Sequence, residues 1–505
     1  MTGYLLNVTS QRWEPTPGYS NRPIWCVHGA CSDISLPPPR PQPMRTPTSS
    51  TPTLHRHHYC RTHQALVVVP HQLSNTTVAT IYLTGGSNNG GNEKGYGEDA
   101  LAAVAMANAT KAVAVTLWQI PAQPIVFAAD PQKSERTEDA AVGFTWKTFM
   151  DSNGAHPEQI LYFPMTRAAS KAMDAVTEFL PTVVPGAQLQ HWFVMGASKR
   201  GWITWLTAAT DARVIGAAPI VMDLLNFEAG IQHMYRSLGN WTFAFEPYYA
   251  LNITKDFGTP RMALLAEQID VLNYKENLTM PILVIDATGD EFFQPYDDWV
   301  WWDTMTNFNP DIHRLMIQNA EHSEATGVIE LIIGAEAFAS SVFQDTPRPQ
   351  LNWVLDVPGN KITATVQKQP VAPYKVTLWH ATSLQSQFAN GTHGMPNRKD
   401  FRLIRGATPE DPCNTIKIHV FGEACLQPVL WAGEELSPTS ETATQLVYEA
   451  TQPMPQDGLF TGYMIEFEFD GPGTTAYRMT TQVNIQPNVW PYAGCDGAAC
   501  YGALV

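Results

Sequence analysis

The sequence predicts an α/β fold, a mostly parallel sheet with helices on both faces, followed by a β-rich C-terminal domain. Two patterns predict it. Between residues 65 and 341, short β-branched runs alternate with longer helical stretches, which is typical of parallel strands joined by crossover helices. Beyond about residue 348, the chain changes to short runs of alternating apolar and polar residues, which are typical of an antiparallel sandwich.

The individual strands follow from these runs. The first pattern contains seven predicted strands, at residues 65–69, 77–83, 112–117, 191–195, 215–221, 282–285 and 313–317. The second contains short alternating runs, among them residues 361–367, 374–379, 461–469 and 480–485. We therefore predict truncated N-terminal strands in 1–25, a core domain over 62–345 with a helical cap at about 226–280, and a β-rich domain over 346–505.

Residues 26–61 interrupt the pattern. Seven prolines fall between Pro37 and Pro52, and a His-rich run follows them. This composition cannot build a packed core, so we predict a disordered insertion. The alternatives are a polyproline ligand, a His and Cys metal clip, or a translated intron, because joining Trp25 to Thr62 gives a continuous entry into a strand.

Composition limits the class of protein. The chain has 505 residues, of which 44% are hydrophobic and 15% charged, so it can bury large cores and is unlike disordered chains. Its net charge of −16 repels phosphate backbones, which argues against a nucleic-acid partner. No run approaches the roughly 18 apolar residues of a membrane-spanning helix. We expect the protein to need neither a cofactor nor a metal.

Two features predict a secreted protein. Seven Asn-x-Thr triplets mark glycosylation acceptors, at Asn7, Asn75, Asn108, Asn240, Asn252, Asn277 and Asn390. The last hundred residues hold Cys413, Cys425, Cys495 and Cys500. Four cysteines suit two disulfides in an oxidising compartment, and four unrelated buried thiols are the alternative. The opening MTGYLLNVTSQRW has no secretory signal, so the protein is either cytosolic or the sequence lacks its leader.

The sequence of residues 191–202 predicts a strand, a turn and a helix, with a serine at the turn. In the stretch HWFVMGASKRGW, small residues flank Ser198 on both sides, as the strained turn of a nucleophile elbow requires. The helix that follows directs its N-terminus at the serine, where its dipole favours an oxyanion. Arg200 stands where the motif G-x-S-x-G has its second glycine. An ordinary strand-to-helix turn is therefore the alternative.

A nucleophilic serine needs a base and an acid, which follow it along the chain in the order acid, then base, in this kind of fold. Asp290 lies in a loop after the sixth predicted strand, and His322 lies in a loop after the seventh. Such loops leave the same edge of a parallel sheet, so we predict that His322 is the base and Asp290 the acid. The rival acids are Asp223, Asp297 and Asp298.

Backbone N–H groups near the serine predict an oxyanion hole. The amide of Lys199 is the first expected donor, and the Gly-rich loop after the second predicted strand supplies the other from Gly86 or Ser87. A flexible turn is the alternative for this loop. Arg200 either binds an acidic group of the substrate or pairs with a carboxylate, and we favour the pairing.

The region between the fifth and sixth predicted strands is dense in aromatic residues. It either lines an apolar substrate pocket or packs as an inserted helical subdomain. The candidate pocket residues are Arg200, Trp241, Phe245 and Tyr248.

Several segments resemble the PhoPQ-activated pathogenicity-related family, over nearly the whole chain. They are LTGGSNNG, LWQIPAQPIVF, RTEDAAVGFTW, VMGASKRGWITW, ATGDEFFQPYDDWVWWD and NAEHS, of which the SKRGW segment is the most specific. The resemblance implies an α/β-hydrolase core with a β-rich C-terminal domain, a secreted or periplasmic location, and a triad of Ser198, Asp290 and His322. Some family members act as extracellular signals.

Together these observations predict a secreted serine hydrolase that acts on a small-molecule ester or peptide. The alternative is an extracellular signalling or binding protein on a hydrolase scaffold, with a cell-surface receptor as its partner. Labelling by an active-site serine probe separates the two.

Overall fold

The structure, a computed structural model, describes residues 1–12, 24–27, 30–33, 60–89, 97–384, 398–406, 417–418, 424–427 and 429–505. Residues 34–59, most of the predicted insertion, lie outside the described residues. Beside them the chain forms a hairpin of Ile24–Val27 and Ala30–Asp33. The predictions for the insertion stay predictions.

Eight strands form the main sheet. In chain order they are β1 Thr2–Arg12, β2 Cys60–Val69, β3 Val78–Leu83, β4 Val113–Leu117, β5 His191–Ala197, β6 Val214–Ile220, β7 Ile282–Ala287 and β8 Ile312–Ile317. In space the order is β1-β2-β4-β3-β5-β6-β7-β8. β2 runs antiparallel to its neighbours β1 and β4, and strands β3 to β8 are all parallel.

Burial explains why these segments form the sheet. β4 and β7 are buried at every residue, as expected for parallel strands covered on both faces, which read as continuous apolar runs. All seven strands predicted for this part of the chain appear, as β2 to β8. The mostly parallel sheet confirms the predicted α/β class.

Helices connect and cover these strands. They are α1 Glu98–Thr110, α2 Glu138–Asp151, α3 Tyr162–Phe179, α4 Lys199–Thr210, α5 Phe227–Leu238, α6 Glu246–Ala250, α7 Pro260–Ile269, α8 Trp302–Phe308 and α9 Val328–Phe343. Short 3-10 turns lie at Pro157–Gln159, Leu180–Thr182, Phe243–Phe245, Ile253–Asp256, Val271–Asn277, Asp297–Val300 and Gly497–Tyr501. A two-stranded hairpin joins Ile125–Val126 to Glu135–Arg136.

The helices form a layer on each face of the sheet. On one face, Met106 of α1 and Phe338 of α9 share a core with Phe193 of β5. On the other face, Trp146 of α2 and Trp202 of α4 belong to a second core, and helices α5 to α7 are inserted between β6 and β7. No helix in the described part of the chain has the length and apolar character needed to cross a membrane.

Beyond α9 the described chain forms antiparallel sheets. One contains Leu351–Asp356, Lys361–Gln367, Gln445–Thr451 and Ser440–Glu441. Another contains Ala432–Glu435, Pro373–Thr382, Thr461–Asp470, Ala476–Thr480 and Asn484–Gln486. A third contains Ile404–Gly406, Ala424–Leu426 and Lys417–Ile418. Ile362, Phe467 and Tyr477 form part of the core of this region. The predicted strand 480–485 is divided, because pairing stops at Thr480 and resumes at Asn484.

The end of the chain returns to the helical insert between β6 and β7. The backbone N–H of Val505 donates to the carbonyl of Trp241 at 2.8 Å, and that of Phe243 donates to the carbonyl of Val505 at 2.9 Å. The indole Nε1 of Trp241 donates to the carbonyl of Cys500 at 2.7 Å, and a disulfide joins Cys500 to Cys495. The C-terminal segment therefore holds the insert against the rest of the molecule.

Candidate active site

Ser198 stands at the turn between β5 and α4 with its backbone in a rare conformation. Its φ of 59° and ψ of −128° cost a non-Gly residue on the order of 1–3 kcal/mol. A Cβ on Gly196 would lie 2.9 Å from the carbonyl oxygen of Arg200, and one on Gly201 would lie 2.7 Å from the Cβ of Met222. The turn therefore needs its second glycine three places after the serine, which leaves position 200 able to carry a side chain.

A chain of hydrogen bonds joins Ser198 to His322 and Asp290. The Nε2 of His322 lies 2.7 Å from the Oγ of Ser198, and its Nδ1 lies 2.7 Å from the Oδ2 of Asp290. The other oxygen of Asp290 accepts the backbone N–H groups of Phe292 and Phe293 at 2.6 and 3.1 Å. The three residues follow β5, β7 and β8, so they meet at the carboxyl edge of the sheet.

The rival acids have other partners or other surroundings. Both ring nitrogens of His322 are engaged in the chain of hydrogen bonds, so neither is left for a second carboxylate. Asp298 forms an ion pair with Arg314, and Asp297 accepts the backbone N–H of Gln294 at 2.8 Å.

Asp223 belongs to a buried acidic cluster beneath the site. Burial, and then the charges of Asp286 and Asp297, raise the pKa of Asp223 well above its usual range. Burial also raises the pKa of Asp286, to about 7, although the charge of Arg314 opposes it. Within the described ranges, no group of His, Cys, Asp or Glu side chains is arranged to hold a metal ion.

The pKa of His322 lies above its usual value. Burial alone would lower this pKa, but the charge and hydrogen bond of Asp290, together with the charge of Glu291, outweigh burial. The carboxylate of Glu291 accepts the backbone N–H of His322 at 3.1 Å, and burial raises the pKa of Glu291 to about 7. Sequence reasoning missed Glu291, although its position directly after Asp290 was a usable signal.

Lys199 is the first residue of α4. Its backbone N–H belongs to the first turn, whose donors have no partner within the helix, and it adjoins Ser198. The Lys199 side chain is buried and forms ion pairs with Glu138 and Asp139 at 2.8 and 3.1 Å. Only the backbone of Lys199 is therefore available for an oxyanion.

The loop predicted to hold the second oxyanion donor follows β3. Gly86 has a φ of 129°, a conformation that favours glycine, and Ser87 forms a bridge with Gln123. The roles of Lys199, Gly86 and Ser87 as oxyanion donors stay predictions.

Arg200 pairs with a carboxylate. Its two terminal nitrogens each donate to Glu138 at 2.7 Å, and its Nε donates to the carbonyl of Ile120. Burial would raise the pKa of Glu138, but the charges of Arg200 and Lys199 hold it well below its usual range. Sequence reasoning missed Glu138, because no local spacing links it to an arginine 62 residues away.

A cavity of about 520 Å³, its open mouth included, begins at Ser198. Phe245 and Tyr248 line it, in agreement with the proposed pocket, whereas Trp241 and Arg200 do not. Trp241 lies behind the wall, stacked on Phe245 with 5.6 Å between ring centroids. Trp241 therefore supports the cavity through its contacts with the C-terminal segment and does not offer its ring to a ligand.

The predicted covalent modifications have different outcomes. Cys495 and Cys500 form a disulfide, Cys425 is buried, and Cys413 lies outside the described residues. The exposed acceptors are Asn7, Asn108, Asn252 and Asn277, and the half-buried ones are Asn75 and Asn240. Asn390 lies outside the described residues. Glycosylation and the pairing of the other cysteines stay predictions.

The order of the strands, the antiparallel β2 and the serine turn after β5 define an α/β-hydrolase fold. The model of the family described as PhoPQ-activated pathogenicity-related protein matches residues 51–389. A relative, autocrine proliferation repressor protein A of Dictyostelium discoideum, is 30% identical over 506 positions, covering 98% of this chain and 87% of that protein. The chain belongs to the PhoPQ-activated pathogenicity-related protein family.

Several solved structures are similar to part of this chain. Est1E from Butyrivibrio proteoclasticus is 12% identical with a TM-score of 0.33, covering 56% of this chain and 96% of its own. The proline iminopeptidase of Mycobacterium smegmatis is 13% identical with a TM-score of 0.31, covering 57% and 97%.

Proposed function

We propose that this chain is a serine hydrolase of the esterase or peptidase type, with Ser198 as nucleophile, His322 as base and Asp290 as the acid that orients the base. The observation that carries the proposal is the continuous chain of two 2.7 Å contacts from Asp290 through His322 to Ser198. The serine also borders an aromatic cavity, which suits an apolar acyl or peptidyl group.

The geometry supports a two-stage mechanism. The Nε2 of His322 takes the hydroxyl proton of Ser198 as its Oγ bonds to the substrate carbonyl carbon, whose π electrons move to oxygen. The backbone N–H of Lys199, with that of Gly86 or Ser87, stabilises the oxyanion. His322 then protonates the leaving alcohol or amine as its bond to carbon breaks. Water, deprotonated by His322, then bonds to the acyl carbon, the bond between that carbon and Oγ breaks, and His322 returns the proton to Oγ, which releases the acid and regenerates Ser198.

An active-site serine probe tests this proposal. We expect a fluorophosphonate to label the folded wild-type protein and to leave Ser198→Ala unlabelled, measured by gel fluorescence or intact mass. Ser440→Ala, which removes an exposed hydroxyl in the C-terminal region, is the matched control and should label normally. Folded wild-type protein that takes up no label, or labelling that persists in Ser198→Ala, contradicts the proposal.

The raised pKa of His322 predicts the pH dependence. His322 must be neutral to accept a proton, so kcat/KM should fall as the pH drops through a pKa above the usual value of about 6.5. Glu291, whose own pKa is raised to about 7, carries part of its negative charge over this range, so Glu291→Gln should lower the pKa of His322 slightly and move the acid limb to lower pH.

The pH profile of kcat/KM, measured with a neutral ester, checks this expectation. Glu158→Gln removes an exposed carboxylate, 65% accessible, and should leave the profile unchanged. An acid limb of Glu291→Gln that moves to higher pH would contradict the assigned role of His322.

A second function is supported by the similar Dictyostelium protein rather than by the geometry around Ser198. The name of that relative, autocrine proliferation repressor protein A, supports an extracellular signalling protein that binds a cell-surface receptor on this scaffold. Adding purified wild-type and Ser198→Ala proteins to cells that express this chain separates the two functions. Equal repression of growth by both proteins favours signalling without catalysis, and repression by the wild type alone favours the hydrolase.

We also propose that the protein acts outside the cell. The disulfide between Cys495 and Cys500 and the exposed Asn-x-Thr acceptors support an oxidising, glycosylating route. We expect the protein in the culture medium, with a mass that falls on treatment with an N-glycosidase. Retention in the cytosol with an unchanged mass would contradict this location.

A further inference from the structure

One carboxylate joins the serine turn to the start of another helix. Glu138, the first residue of α2, accepts hydrogen bonds from both terminal nitrogens of Arg200 at 2.7 Å. Its Oε2 also lies 2.8 Å from the Nζ of Lys199. Lys199 and Arg200 are the two residues directly after Ser198, and both are buried. Glu138 therefore binds the turn at the point where the first oxyanion donor is expected.

The same residue is bonded to the segment that follows β4. The backbone N–H of Glu138 donates to the Oε1 of Gln123 at 2.8 Å, and the Nε2 of Gln123 donates to the Oε1 of Glu138 at 2.5 Å. The side chain of Arg200 reaches this segment as well, because its Nε donates to the carbonyl of Ile120. Glu138 and Arg200 thus hold the serine turn and the segment 119–123 together.

The segment 119–123 in turn holds the Gly-rich loop that follows β3. The carbonyl of Gln123 accepts the backbone N–H of Asn88 at 2.5 Å. The Nε2 of Gln119 donates to the carbonyl of Ser87 at 3.1 Å. The loop predicted to carry the second oxyanion donor is therefore hydrogen-bonded to the segment that the α2 carboxylate holds.

Close packing and an unusual backbone mark the same residues. A Cβ on Gly85 would lie 3.0 Å from a terminal nitrogen of Arg200, so the Gly-rich loop packs directly on the guanidinium. Glu138 has a φ of 47°, in the left-handed region that few residues other than glycine adopt. Such a backbone persists where the surrounding contacts fix it, and it is concentrated at functional sites. The contacts of its side chain and of its backbone N–H fix Glu138 here.

We propose that Glu138 is a positioning residue that fixes the distance between the two backbone donors of the oxyanion hole. One donor lies on the turn, which Glu138 binds through Lys199 and Arg200. The other lies in the Gly-rich loop, which it holds through Gln123. Donors aimed at a developing oxyanion stabilise the transition state more than the bound substrate, so their misplacement lowers kcat rather than raising KM. This inference rests on the proposed function for the reaction, but the position of the loop can be measured without catalysis.

Kinetics of two variants of the full chain test the inference. Glu138→Gln removes the charge that Lys199 and Arg200 share, and we expect kcat for a neutral naphthyl ester to fall about 10²-fold, the usual cost of one oxyanion donor. KM should stay within about threefold of the wild type. Gln123→Leu breaks only the neutral link to the loop and should lower kcat about tenfold. Glu135→Gln, at an exposed site, is the matched control and should keep the wild-type kcat.

An inhibitor that forms an oxyanion separates positioning from a general loss of structure. The Oγ of Ser198 adds to the carbonyl carbon of phenethyl trifluoromethyl ketone, the π electrons move to oxygen and the hydroxyl proton passes to His322. Phenethyl methyl ketone binds largely without this addition. We expect Ki of the first ketone to rise by the factor by which kcat falls, and Ki of the second to stay within about threefold.

Gln123→Leu leaves both ion pairs of Glu138 in place, so it decides the question where Glu138→Gln does not fold. A folded Gln123→Leu with the wild-type kcat overturns the inference. An equal loss of affinity for both ketones also overturns it, because the effect would then lie in the binding of the substrate.

Hydrogen exchange separates this inference from the proposed function. If the wild-type protein neither hydrolyses the ester nor takes up the fluorophosphonate, the hydrolase proposal fails, and amide exchange is compared in wild-type protein and Gln123→Leu by mass spectrometry. We expect the amides of residues 84–88 to exchange about tenfold faster in the variant, while those of β5 keep the wild-type rate. Unchanged exchange in the loop, or equal acceleration in β5, overturns the inference whether or not the protein is active.

Discussion

Replacing Asp290 with Asn is expected to lower kcat on the order of 10⁴-fold with the fold retained. The amide keeps the size of the carboxylate and an oxygen for the N–H groups of Phe292 and Phe293. Its NH₂ group, however, would donate to the Nδ1 of His322 and leave the proton of the imidazole on Nε2. A protonated Nε2 cannot accept the hydroxyl proton of Ser198.

The decisive measurement is kcat for a neutral naphthyl ester, with circular dichroism and urea unfolding as tests of folding. Asp303→Asn on α8 removes an exposed carboxylate and should retain the wild-type kcat. If Asp290→Asn keeps more than about a tenth of the activity, Asp290 is not the residue that sets the tautomer, because a wrong tautomer costs far more than tenfold.

Replacing Arg314 with Met is expected to lower the free energy of unfolding by about 3–5 kcal/mol at pH 7. Arg314 is 1% exposed and pairs with the fully buried Asp298, and its charge also acts on Asp223 and Asp286. Met fills much of the same space but leaves these carboxylates without a buried cation. The loss therefore comes from uncompensated charge rather than from a void.

The pH dependence of this loss identifies its cause. Burial already raises the pKa values of Asp223 and Asp286, and removal of Arg314 should raise them further. The folded state then binds more protons than the unfolded state above pH 4, so its stability falls as the pH rises through the raised pKa values. Urea unfolding should accordingly show a smaller loss at pH 5 than at pH 8.

Arg167→Met, at an exposed position of α3, is the matched control and should be within about 0.5 kcal/mol of the wild type. A loss in Arg314→Met that is the same at pH 5 and pH 8 would assign the effect to packing and contradict the electrostatic account.

Much of the fold and the centre of the site could be predicted from local patterns. The core strands were recognisable because a strand covered on both faces must be apolar at nearly every position, as β4 and β7 are. Ser198 was recognisable because its strained turn needs glycine at positions 196 and 201. Asp290 and His322 followed from chain order, since loops after parallel strands leave the same edge of the sheet.

Other features depend on contacts between residues far apart in the chain. The pairing of Arg200 with Glu138 spans 62 residues, and Trp241 faces the C-terminal segment 259 residues further on. No periodicity or motif in the sequence specifies such contacts. The sequence therefore does not distinguish an aromatic residue that lines the cavity, such as Phe245, from one that lies behind it, such as Trp241.

The sequence by itself determined the class of fold, the strained turn at Ser198 and the order in which Asp290 and His322 follow it, because each depends on neighbouring residues or on the direction of a strand. Only the tertiary structure decided which carboxylate reaches His322, which cations neutralise which acids, and which aromatic rings border the cavity. Those outcomes depend on distances across the core, and both burial and electrostatic energy are set by such distances.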